Sequence, residues 1–172
     1  LALGLANVIL REKLYDAAYV RQWTDLPILV RMDTLKYLRA QEVFGGTLAA
    51  LKQTRVLQAG EREPAAAAHN EMIVPEAMRL EWGDYVWWDQ AANAPKLLTR
   101  DMVGRNSTVT EAQLEGAVEV TLADGKRVRC RPVFDLVREY AAHFDPKTTE
   151  ELTWAPAAAV ESLARDLAKN PG

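Results

Sequence analysis

Val118-Glu119-Val120-Thr121-Leu122-Ala123-Asp124-Gly125-Lys126-Arg127-Val128-Arg129-Cys130 is the stretch that decides the fold. Val118, Val120 and Leu122 alternate onto one face, Asp124-Gly125 supplies a turn, and Val128 with Cys130 continue the apolar face on the return. Directly after Pro132 the period changes. Val133, Leu136, Val137, Tyr140, Ala141 and Phe144 recur at helical spacing, with Pro132 read as the first helical residue. A hairpin running into an amphipathic helix predicts an α+β fold.

Working outward, Asp145-Pro146 is a cap and first-turn pair opening a short helix to Leu152. Pro156 opens another, with Val160, Leu163, Ala164 and Leu167 on one face. Upstream, Tyr85-Val86-Trp87-Trp88 has strand propensity, Asp89 to Ala94 supplies a turn, and Pro95 to Leu98 is its partner strand. Leu26 to Arg31 reads as a short buried strand, since Pro27 biases Leu26 away from helix. Asp16 caps a helix through Trp23, and Asp33 caps a short helical turn through Leu38. Leu1, Leu5, Val8 and Ile9 lie on one face of a first helix. The chain opens inside that apolar pattern without an initiator Met, as a helix cut from a longer protein would. Three regions follow: 1–44, helices and a short strand; 45–83, an irregular insertion with a helix near Leu48 to Leu57; 84–172, hairpins and then helices. Together they are expected to form one domain or domain fragment.

Composition narrows the function. With 172 residues, 49% apolar and 26% charged, the chain is of ordinary globular class. A net charge of -3 argues against a nucleic-acid partner. The longest apolar run, Leu1 to Leu10, is too short to span a bilayer, so no direct membrane insertion is expected. The one cysteine, Cys130, cannot form an internal disulfide, and with His69 and His143 it offers no metal-ligand spacing.

The search for chemistry returns no catalytic, cofactor-binding or metal residue. Arg127, Arg129 and Arg131 share one strand face and could grip an anion, but a solvated face paired with Glu119 is the favoured reading. Trp87 and Trp88 point to opposite faces, one into the core and one half-exposed. His143 sits near a helix C-terminus and His69 in the insertion, neither beside a nucleophile motif. Cys130 reads as a small buried hydrophobe. Gly45-Gly46 lacks the Lys-Ser/Thr of a phosphate loop.

Three stretches together resemble one family. The first is Leu3-Gly4-Leu5-Ala6-Asn7-Val8-Ile9, then Leu14-Tyr15-Asp16, Val20-Arg21 and Thr24-Asp25-Leu26-Pro27-Ile28-Leu29-Val30-Arg31. The second is Gly83 to Asp89. The third is Asp124-Gly125-Lys126, Phe134-Asp135-Leu136, Tyr140, Asp145, Thr149 to Leu152 and Pro156 to Ala168. In this order they are similar to the molybdopterin oxidoreductases of the DMSO reductase family. The branch they resemble most is that of the respiratory nitrate reductase, nitrite oxidoreductase, perchlorate reductase and ethylbenzene dehydrogenase alpha subunits. Thr34-Leu35-Lys36 and Leu38-Arg39 resemble the nitrate reductase and nitrite oxidoreductase side. Trp23 departs from the usual Tyr. Trp154 departs from a Gly that precedes the Ala/Val-Pro pair, and Trp enters a left-handed turn less cheaply than Gly.

The resemblance implies a parent oxidoreductase with a molybdenum bis-molybdopterin guanine dinucleotide centre and an iron–sulfur cluster, neither held by this segment. The segment would be scaffold within an α/β cofactor domain, inactive alone. Its partners would be the remainder of the catalytic subunit and an electron-transfer subunit, in a prokaryote, on either face of a membrane. The isolated segment is expected to self-associate through its first helix. The alternative is a free-standing α+β protein-interaction domain without enzymatic activity.

Overall fold

A computed structural model describes residues 1–45, 56–57, 74–75, 84–98 and 107–169. Two units divide the chain: Ala18–Val133, and Leu1–Ala17 together with Phe134–Gly172. Among the described residues, six helices accompany small sheets, an α+β mix.

In the unit Ala18–Val133, β6 (Val118–Thr121) and β7 (Arg127–Pro132) form the antiparallel hairpin. Its loop closes where Gly125 N donates to Leu122 O at 2.9 Å and Leu122 N donates to Lys126 O at 2.8 Å. Gly125 alone takes a left-handed φ, +86°, while Asp124 turns the chain by accepting from Lys126 N at 2.9 Å. Strand β1 (Leu29–Arg31) pairs with the other edge of β7, so the sheet order is β1-β7-β6. Pro132 ends β7 rather than beginning the helix after it. The residue that follows, Val133, donates its N–H to Ile28 O at 2.9 Å.

A second hairpin joins β4 (Tyr85–Asp89) to β5 (Ala94–Leu98). Asp89 Oδ1 organises its turn by accepting from Ala91 N and Ala92 N. Alternation along β4 feeds two cores. Val86 and Trp88 pack with Leu29, Leu38, Val120, Val128 and Cys130, whereas Tyr85 and Trp87 pack with Ile28, Leu98, Val109 and Ala112. Trp87 is buried and Trp88 half-buried.

Helix α2 (Ala17–Trp23) starts directly after Asp16, where the capping residue predicts it. The helical turn expected from Asp33 to Leu38 is absent. There the chain makes a tight reversal, with Leu35 N donating to Arg31 O, and returns extended so that Leu38 N donates to Leu29 O. Tertiary pairing wins over local capping, because Leu38 fills the core from an extended backbone. Helix α3 (Ala40–Phe44) follows and ends at Gly45, φ +64°. Two-residue strands β2 (Val56–Leu57) and β3 (Val74–Pro75) pair in parallel. Apart from them and 84–98, the chain between Gly45 and Ser107 lies outside the described residues. So does the rest of the helix expected near Leu48 to Leu57.

The other unit holds α1 (Ala2–Arg11), most of α4 (Val133–Ala141), α5 (Pro146–Thr153) and α6 (Ala157–Lys169). The apolar periodicities match its buried faces only in part. Helix α1 buries Gly4, Asn7 and Val8, with Leu1 and Leu3 exposed. Gly4 sets that rotation by admitting Thr149 of α5 where a side chain would stand. Helix α4 buries Phe134, Asp135 and Ala141, while Val137 and Tyr140 are exposed. A charged residue inside that face is tolerable because Arg138 Nη2 donates to Asp135 Oδ1 at 2.7 Å. Helix α5 is capped as predicted: Asp145 Oδ1 accepts from Lys147 N and Thr148 N.

Candidate functional site

The arginine strand is the first place to look for a ligand. Register sets Arg129 opposite Glu119 and Arg131 opposite Val30, with Val128 and Cys130 buried on the other face. Arg127 and Arg129 are exposed and Arg131 half-buried. Opposite charges facing each other across an antiparallel ladder stabilise the sheet and need no ligand.

A denser electrostatic centre lies at the β1 turn, which the residue patterns do not single out. Arg31 Nε and Nη2 donate to the two carboxylate oxygens of Asp33, at 3.0 and 2.7 Å, and Nη1 donates to Glu42. Glu42 also accepts from Arg39 N at 2.9 Å and so ties this fork to the start of α3. Hydrogen bonding from Arg31 holds the Asp33 carboxyl down at about 2, and its partners raise Arg31 above its ordinary range. Each of the three guanidinium nitrogens donates to a carboxylate of its own chain, so the cluster fixes the turn.

Glu12 plays the same part in the unit that holds α1. Arg165 Nε and Nη2 donate to its two oxygens at 2.9 and 2.8 Å, and this pairing depresses Glu12 to about 2. A cleft of about 470 Å³ beside it is lined by Arg11, Asp145, Lys147 and Glu161. Its charges are mixed, and Arg11 lies 3.4 Å from Glu161. No nucleophile or histidine lines it.

Of the remaining chemical candidates, His143 is exposed in the turn after α4, and His69 and Gly46 lie outside the described residues. Burial pushes the Cys130 thiol up to about 11, opposite to what a reactive or ligating thiolate requires. Among the described residues no three His, Cys, Asp or Glu come together as a metal-holding group. No described helix is long and apolar enough to cross a membrane. Asn7, buried in α1, donates from Nδ2 to Ala141 O at 3.0 Å, a contact that helical periodicity gives no means of finding.

No family model matches the chain. It is 30% identical over 179 residues to the perchlorate reductase alpha subunit of Dechloromonas aromatica (strain RCB), covering 98% of this chain and 17% of that protein. It is 29% identical over 174 residues to the respiratory nitrate reductase alpha subunit of Haloferax mediterranei, covering 98% of this chain and 15% of the relative. To the dopamine dehydroxylase of Eggerthella lenta it is 26% identical over 204 residues, 95% of this chain and 20% of that protein. The chain thus spans less than two thirds of each relative's length, about a sixth in the case of the perchlorate reductase subunit. These matches, running nearly end to end through both hairpins and the C-terminal helices, place the chain in the molybdopterin oxidoreductase family, where it corresponds to a portion of the alpha subunit.

Proposed function

We propose that this chain is a scaffold portion of a molybdenum bis-pterin oxidoreductase alpha subunit acting on a small oxyanion, on the nitrate reductase and nitrite oxidoreductase side of the family. The observation that carries the reading is the match over 98% of the chain to both a perchlorate and a nitrate reductase alpha subunit. Thr34-Leu35-Lys36 and Leu38-Arg39 favour the nitrate side. In such enzymes the cofactor supplies the bond-making chemistry, and the protein supplies orientation and electrostatics.

The residues of this chain do structural work in that scheme. Arg31 clamps the β1 turn through Asp33 and Glu42, Trp87 and Trp88 tie one strand to two cores, and Asp145 starts α5. Partners in this reading are the rest of the alpha subunit and an electron-transfer subunit. The α1 face expected to drive self-association of the isolated chain is largely covered within its own unit: Val8 is buried and Leu5 and Ile9 are half-buried, while Leu1 and Leu3 are exposed.

The test is a dye-linked assay on the product of the complete reading frame, with reduced viologen as donor and nitrate or perchlorate as acceptor, alongside nitrite oxidation. Turnover of nitrate or nitrite by that product, and none by residues 1–172, is expected. Turnover of perchlorate alone would overturn the nitrate assignment. A reading frame that encodes this chain and little more, without redox activity, would return the free-standing interaction domain.

A further inference from the structure

Trp154 ends α5 in the left-handed conformation, φ +61° and ψ 9°, with its N–H donating to Glu150 O at 2.7 Å. It is 90% exposed, and Leu152 two residues earlier is 69% exposed. A bulky residue at positive φ is strained where Gly would not be, and an exposed indole returns no burial to offset the strain. Both penalties fall on the same side chain. From Leu152 to Val160 the sequence Leu-Thr-Trp-Ala-Pro-Ala-Ala-Ala-Val carries no charge, so the surface suits an apolar protein surface and not nucleic acid or an anionic membrane.

Area selects among protein occupants. A stable association between separate chains needs roughly 800 Å² from each side. One Trp with one Leu supplies about half of that at most, since a buried aromatic accounts for 150–250 Å². Such a contact is too small to hold two molecules, but it suffices between parts of one polypeptide, where effective concentration is high. The chain covers 17% of the perchlorate reductase alpha subunit it matches, which leaves ample polypeptide to supply the covering surface. We infer that the Leu152–Trp154 turn is an intrasubunit docking point, with the indole buried against an apolar surface from the remainder of the alpha subunit. This rests on the assignment of the chain to such a subunit.

The test uses the alpha subunit made from the complete reading frame, whose mass reports separately on that assignment. Hydroxyl-radical footprinting reads the oxidation of Trp154 in the folded subunit against the same subunit in denaturant. Protection of about tenfold is expected, the change implied when accessibility drops from 90% to the level of a core residue. Trp154→Gly supplies the second arm. Gly relieves the left-handed strain, so it lowers the subunit's melting temperature only if the indole is packed, and Trp154→Tyr restores most of the loss. Oxidation at the denatured rate, or a Trp154→Gly subunit that melts higher than the parent, would overturn the inference. Protection that appears only on adding an electron-transfer subunit, or only at high concentration, would assign the contact to another chain and overturn it equally.

Discussion

A Cβ built on Gly4 of α1 would lie 2.4 Å from Thr149 Oγ1 and 2.8 Å from its Cγ2, so these two residues set how closely α1 and α5 approach. Thr149 is buried and anchored, its hydroxyl donating to Phe144 O at 3.2 Å, so it cannot swing aside without breaking that bond. Gly4→Ala is therefore expected to destabilise the fold by roughly 1–3 kcal/mol, the range for overpacking a core. Thr149→Ala in the same chain should recover much of the loss. Denaturant melts of the two single variants and the double variant test this. Additive losses would mean the two sites do not meet.

At the β6–β7 turn the expected effect comes from the backbone alone. Gly125 has φ +86° and nothing within 4 Å of an added Cβ, so a side chain there meets strain and no clash. Gly125→Val should cost about 1 kcal/mol or more and Gly125→Asn distinctly less, since Asn tolerates the left-handed region. Equal melting temperatures for the two variants would contradict the turn geometry.

Local patterns disclose part of this fold, and contacts distant in sequence decide the rest. Both hairpins, the Asp145 cap and the opposed faces of Trp87 and Trp88 were legible, because alternation and turn chemistry are local signals. The rotation of α1 and α4 was not. Leu1, Val137 and Tyr140 carry apolar periodicity yet lie exposed, while Gly4, Asn7 and Asp135 are buried through partners distant in sequence. The Arg31–Asp33–Glu42 cluster escaped for the same reason: its members share no periodic spacing, and the reversal after β1 together with the start of α3 brings them together. The strained Trp154 was visible as an anomaly, but its conformation depends on the α5 end that it closes.

Cys130 should be slow to react in the folded chain. It is fully buried, and burial lifts its thiol to about 11, so the thiolate is scarce at neutral pH. Iodoacetamide is expected to label it only after unfolding, read by intact mass. Rapid labelling of the native protein would show that the sheet core opens.

Acid should weaken the fold through Glu12 and Asp33. Both carboxyls are held near 2 by arginine partners, below their ordinary 4.5 and 3.8, so the unfolded chain takes up protons first. Their stabilisation is complete above about pH 4.5 and is lost as pH falls toward 2. Asp145, lowered by the Thr148 and Lys147 backbone N–H groups, acts in the same direction. The melting temperature of the wild-type chain should drop across this window, and Glu12→Gln with Asp33→Asn should flatten the drop. An unchanged slope in that double variant would remove these pairs from the account. Because Asp33 is exposed and Glu12 only half-buried, added salt should shrink the difference.

The central claim is that this chain is part of a molybdopterin oxidoreductase alpha subunit, and the product of its complete reading frame tests that most directly. Intact mass and molybdenum content should be measured on the same purified sample. The account predicts a polypeptide several times the 19.2 kDa of this chain, with stoichiometric molybdenum. A 19.2 kDa product free of molybdenum would contradict it.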